Sequence, residues 1–140
     1  MGNAERALAL LLRIFGLVSF SAILPTFMPF SWMEAAHGWL GMGDLPDVSI
    51  VHYLTRSESL LYAAHGALLI YVSFDVRRYL PAVRFLSVVL GFCGISLIVI
   101  DFWSEMPWFW TVSEGPFLLL AAAVLWWLSG RVRDFCEGPK

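Results

Sequence analysis

An all-α, polytopic integral membrane bundle is the fold this sequence predicts, and three observations predict it. Of 140 residues, 59% are hydrophobic and only 14% charged, with a mean hydropathy of +0.74; an ordinary soluble domain is about 25% charged. The apolar residues gather in four long runs, and a helix needs about 20 residues to cross a bilayer, so four helices and short links use up the chain. The arginines and tryptophans fall at the ends of those runs, where membrane proteins keep them. The expected architecture is a four-transmembrane-helix antiparallel bundle, a single membrane domain over residues 1–140, with a short interfacial helix between helices 1 and 2.

The first helix is expected over residues 5–28. Arg13 interrupts its apolar run at a depth from which a long side chain snorkels back to the headgroups. No small-x-small cleavage site follows, which favours an uncleaved span over a signal peptide. Pro25 and Pro29 bend or end it, because proline removes a backbone donor. Residues 31–41, SWMEAAHGWLG, are too short to span. Ser31 and Glu34 form a capping-box pattern, and Trp32, Met33, Ala36, Trp39 and Leu40 fall on one face, as in a helix lying in the headgroup plane. Gly41, Gly43 and Pro46 make a turn-rich link, after which Asp47 or Ser49 is placed to cap the second span.

That second span is expected over residues 50–74 and the third over 79–102, joined so tightly through Asp75, Val76, Arg77 and Arg78 that the two read as antiparallel neighbours. Pro81 is tolerated in the first turn of the third. Ser87, Gly91 and Gly94 lie on one face, continued by Ile98 and Asp101; small residues at this spacing let helix backbones approach closely. An aromatic loop precedes a fourth span over residues 113–128, with Glu114 and Pro116 in its first turn. Residues 129–140 read as a polar, frayed cytoplasmic tail.

Four crossings sort the charges. Arg6, Arg13, Arg77, Arg78, Arg84, Arg131, Arg133 and Lys140 fall on one side and Arg56 on the other. By the positive-inside rule both termini are cytoplasmic and the protein is a multi-pass component of the plasma membrane. The opposite side holds Glu34, Asp44, Asp47, Glu58, Asp101, Glu105 and Glu114, with Trp32, Trp39, Trp103, Trp108 and Trp110 at its boundary and Trp126 and Trp127 at the inner one.

The second span carries the residues that point to chemistry. Arg56, Glu58, Tyr62 and His65 lie within an otherwise apolar helix, and ionisable groups at membrane depth face protein or a water-filled cavity. Glu58, Tyr62 and His65 share a face at steps of four and three; His52, Arg56 and Ser59 form the adjacent stripe. Arg56 calls for a carboxylate. Asp101, at the end of the small-residue face, is the foremost candidate, with Glu58 and Glu114 the alternatives. Two readings follow. Arg56, Glu58, Tyr62, His65, Asp101 and Glu114 are a structural clasp between helices, or they line an outward-facing pocket.

His65 lies roughly 15 Å deep, taking about 1.5 Å per residue. A haem would need a second deep ligand, and His37 and His52 lie near the surface. A zinc site would need three or four converging ligands, so no metal and no cofactor is expected. A hydrogen bond to a neighbouring helix is the plain reading of His65; a proton relay is the sharper one. Cys93 and Cys136 form no CxxC pair and read as two thiols without a metal or disulfide motif. Walker, GxSxG and HExxH motifs are absent, so no motif points to an enzyme, and the reading leans away from one without deciding it. The basic inner edge fits anionic lipid and is no nucleic-acid footprint.

The segments Leu40-Gly41-Met42-Gly43, RSESLLYAAHG with Arg56, SFDVRRYLP and IDFWSEMPWFWTVSEGP resemble small uncharacterised bacterial membrane proteins of the DoxX-like group and its DUF4345 type. The resemblance implies a four-helix bundle in a bacterial inner membrane and no particular activity. The sterol-binding and isomerase fold of the EXPERA type is similar in helix number, with no residue-by-residue match. The expected function is a non-catalytic accessory or interacting subunit, as a homo-oligomer or within a larger membrane complex, in contact with lipids. The competing expectation is a binder or enzyme for a lipid or quinone-like molecule, using the outer-side pocket on the second span.

Overall fold

A computed structural model of the chain describes residues 2–137, and the side chains of residues 2–133. Lys140 and the side chain of Cys136 lie outside the described residues. The secondary structure is helical throughout: α1 (Asn3–Phe20), α2 (Ile23–Phe27), α3 (Phe30–Trp39), α4 (Ser49–Val72), α5 (Leu80–Trp103) and α6 (Trp108–Glu137). Three stretches are long and apolar enough to cross a membrane: Asn3–Phe27, Leu80–Trp103 and Trp108–Arg133, with mean hydropathies of 2.2, 2.4 and 1.5. The chain is a membrane protein. The fourth long helix, α4, is the one that carries Arg56, Glu58 and His65.

Contacts divide the chain into two compact units, Leu12–Tyr71 and the first eleven residues together with the chain from Val72 onward. In the unit Leu12–Tyr71, α1 and α4 meet glycine to glycine. A Cβ on Gly66 would overlap the Phe20 backbone nitrogen and stand 2.6 Å from the Gly16 carbonyl oxygen, and a Cβ on Gly16 would stand 2.7 Å from Ile70 Cγ1. Leu12, Ala63 and Leu69 are buried around that crossing. Backbones this close have no room for any side chain, which is how membrane helices gain packing without a hydrophobic drive.

The span expected over 5–28 is present as Asn3–Phe27, with an interruption: α1 ends at Phe20, and a turn through Ser21 and Ala22 leads into the five-residue α2. Helix α3 opens one residue before the expected position, with Pro29 as its N-cap at φ −58° and ψ 144° and no side-chain cap. The Ser31–Glu34 capping box is therefore not used, because Pro29 already sets the entry and places both residues inside the helix. The far end of α3 follows the Schellman pattern. Gly41 sits at φ +76°, the Gly41 N–H donates to the Gly38 carbonyl at 3.0 Å and the Met42 N–H to the His37 carbonyl at 3.2 Å. His37 Nδ1 then donates to the Gly43 carbonyl at 2.9 Å, closing the link. No residue of α3 is buried.

The second unit is built on α5 against α6. Val83, Ser87, Gly94 and Asp101 are the buried residues of α5, so its buried face is the expected small-residue stripe. Opposite lie Ala121, Ala122, Leu125, Leu128 and Val132 of α6, spaced as one helical face. The crossing is again glycine on glycine: a Cβ on Gly115 would overlap Ile98 and stand 2.9 Å from the Gly94 carbonyl oxygen. Helix α6 starts at Trp108 rather than near 113, because the Pro107 carbonyl accepts from the Trp110 and Thr111 N–H groups at 2.9 and 3.3 Å and so opens the helix. Pro116, expected in a first turn, lies inside α6. The helix also runs on through Glu137, across most of the stretch expected to be frayed.

At the other end of this unit, Glu5 in the first turn of α1 is buried. It takes the Arg77 guanidinium at 2.9 Å and the Gly2 N–H at 3.3 Å, an acid placed where the helix dipole favours it. Arg84 lies over the Trp126 ring at 4.4 Å and Arg131 over Trp127 at 5.2 Å.

Candidate functional site

Arg56 is the residue the sequence marks most strongly, and its surroundings follow from two prolines. Helix α2 ends where the Met28 N–H donates to the Pro25 carbonyl at 3.3 Å. The next carbonyl, that of Thr26, would take the N–H three residues on, but that residue is Pro29 and has none. Met28 itself is extended, at ψ 143°. Arg56 supplies the missing donors: Nη1 to the Thr26 carbonyl at 3.0 Å and Nη2 to the Met28 carbonyl at 3.1 Å. A guanidinium forks onto paired oxygens readily, and a cation at a helix C-terminus is stabilised by the dipole. The groups that Arg56 holds are carbonyl oxygens, not the carboxylate expected for it. The geometry is that of a clasp between α4 and the end of α2.

The start of α4 is held by side chains as well. His52 Nε2 donates to Asp47 Oδ1 at 2.7 Å, and the Phe30 ring stacks on His52 at 4.3 Å between centroids. Asp47 thus reaches a side chain of the first turn. Thr55 Oγ1 donates back to the Val51 carbonyl at 2.8 Å, a local bond of the kind that hides a hydroxyl inside an apolar helix.

Further along α4, Glu58 and Tyr62 are exposed and His65 is half-buried. The steps of four and three place the three on one face. Among the described residues of the same unit, no group hydrogen-bonds the His65 ring. His65 also neighbours Gly66, the glycine of the α1–α4 crossing, so the backbone beneath the imidazole lies at a close helix–helix approach.

Asp101 and Glu114 belong to the other unit. Glu114 Oε2 accepts from Trp110 Nε1 at 2.7 Å, one turn away on α6. Asp101 is 4% exposed, and its Oδ2 is buried with no hydrogen-bond partner among the described residues. It lies in the last turn of α5, which ends in a second Schellman turn: the Glu105 N–H donates to the Phe102 carbonyl at 3.4 Å and the Met106 N–H to the Asp101 carbonyl at 3.0 Å. The residue in the left-handed position is Glu105, at φ +52°, where glycine is the usual occupant. A hollow of about 240 Å³ opens beside this turn, lined by Asp101, Phe102, Glu105, Met106, Trp108, Thr111 and Val112.

Sequence reasoning missed three features here. The carbonyls of Thr26 and Met28 are backbone groups, signalled only by the donor that Pro29 lacks. Glu105 read as one more acid of a loop. Glu5 was passed over, although an acid in a first turn near a basic cluster is a recognisable pairing signal. Among the described residues, no group of three or more His, Cys, Asp or Glu side chains is placed to hold a metal ion. No family model, curated protein or solved structure matches the chain.

Proposed function

We propose that the protein is a non-catalytic integral membrane component that works as an accessory or interacting subunit of a membrane assembly. One observation carries this reading. Arg56, the strongest candidate for a ligand-binding cation, is spent on the Thr26 and Met28 carbonyls, so the charge on α4 serves the fold. In this reading α4 is a fourth crossing beside the three apolar spans, the arginine-rich ends are cytoplasmic by the positive-inside rule, and the membrane is a bacterial inner membrane. The DoxX-like resemblance belongs to the same proposal. Most large apolar side chains of the spans are exposed, among them Leu17, Val18, Phe85, Phe92, Phe117 and Leu120, and such faces meet lipid or partner helices.

Chemical cross-linking in the membranes that produce the protein, followed by purification in mild detergent, tests the reading. It predicts a second chain, or a second copy, joined at fixed stoichiometry. Recovery only as an uncross-linked monomer contradicts it.

A second reading has one observation in its favour. The half-buried His65, with no ring partner in its own unit and with Glu58 and Tyr62 on the same face of α4, suits the binding of a lipid or quinone-like molecule. Ubiquinone or menaquinone added to the detergent-solubilised protein would then protect against thermal unfolding, and His65→Ala would abolish the protection.

A further inference from the structure

We propose that the hollow at the C-terminal end of α5 binds an ammonium group, held by Asp101. Three observations converge there. Asp101 is 4% exposed and its Oδ2 has no partner among the described residues, and a buried ionised carboxylate without a partner is costly. It stands in the last turn of α5, where the carbonyl ends of the helix add negative potential. A second carboxylate, Glu105, lines the same hollow and is held there at φ +52°. All three sources of potential favour a cation.

The remaining lining chooses among cations. Phe102, Met106, Trp108 and Val112 make most of the wall apolar or aromatic, and Thr111 adds one hydroxyl. Calcium takes six to eight oxygen ligands and magnesium keeps several waters, which this wall does not offer. An organic ammonium suits it: the charge meets the carboxylate, and its alkyl substituents lie against rings that attract cations through their faces. The volume of about 240 Å³ is far above the roughly 10–15 Å³ that a single water requires. Phe102 and Trp108 are largely exposed, so the hollow is reached from the surface. Either the headgroup of an aminophospholipid or a free small amine offers this chemistry.

The test uses the full chain in detergent micelles containing equimolar phosphatidylethanolamine and phosphatidylglycerol of identical acyl chains, read by native mass spectrometry. The expected result is retention of phosphatidylethanolamine over phosphatidylglycerol by about fivefold to tenfold. Asp101→Asn brings the two lipids to parity, and Glu105→Gln and Trp108→Leu each reduce the preference. Glu105 and Trp108 are exposed, so these two variants carry the test if Asp101→Asn fails to fold. Ethanolamine at millimolar concentration separates the sources. Loss of the lipid adduct shows that the amine alone is recognised; an unchanged adduct shows that the lipid headgroup is required. Equal retention of both lipids by the unmodified protein overturns the proposal. So does an unchanged preference in folded Asp101→Asn, or in both of the other variants.

Discussion

Replacing Arg56 by alanine removes two charge-assisted hydrogen bonds, at 3.0 and 3.1 Å, and leaves the Thr26 and Met28 carbonyls without donors. Hydrogen bonds to charged groups contribute about 1.5–3 kcal/mol each, so the pair sums to roughly 3–6 kcal/mol. The guanidinium is only partly buried, and water takes over some of the lost bonding, which brings the expected cost to about 2–3 kcal/mol. At roughly 3–4 °C per kcal/mol for a chain of this length, the unfolding midpoint falls by about 6–12 °C. Lysine, a point donor without the fork, recovers about half of the loss. The assay is thermal unfolding in detergent followed by circular dichroism. The cause assigned to the interaction is tested by a double-mutant cycle with Pro29→Ala, which restores an N–H three residues after Thr26. In that background Arg56→Ala costs less, with a coupling of about 1 kcal/mol. Strict additivity of the two changes would refute the argument that Arg56 replaces the donor Pro29 lacks.

Other substitutions test the packing. Gly66→Ala drives a methyl into the Phe20 backbone and is expected to cost about 3 kcal/mol or more, since backbone cannot give way as a side chain does. Gly130→Ala, in α6 with open space around it, is expected to stabilise by about 0.5–1 kcal/mol; the two midpoints measured side by side check both. Glu105→Gly relieves a left-handed conformation at φ +52° and should raise stability by about 1 kcal/mol in detergent without added lipid. Glu5→Gln weakens the 2.9 Å pair with Arg77 and should lower stability by about 1–2 kcal/mol, a loss reduced because Arg77 is half exposed. A midpoint unmoved by Glu5→Gln would refute that pair's role.

The three apolar spans were legible because apolar composition and length are local properties, and the stripe of Ser87, Gly94 and Asp101 was legible because a helix repeats its faces at fixed spacing. Pro29 was readable as a helix end. What Arg56 holds was not, because its partners are backbone oxygens, which no residue type announces. The start of α6 was misplaced since two prolines competed for the role: Pro107 opens the helix, and Pro116 is absorbed inside it beside the glycine crossing. The continuation of α6 past residue 128 was not legible because residues 129–140 read as a polar tail, whereas Ser129 and Val132 within it are buried. At the candidate site, Asp101 and Glu114 were identifiable as acids near a boundary. What surrounds them depends on turn geometry around Glu105 and on the Trp110–Glu114 bond.

The central claim, that this chain acts as part of a membrane assembly, is tested most directly by the mass of the particle it forms. Native mass spectrometry of protein extracted in mild detergent from its own membranes should give a complex of defined stoichiometry, either several copies of the chain or the chain with another subunit. A spectrum dominated by single 15.8 kDa chains, with no associated polypeptide at any detergent concentration, would contradict the account.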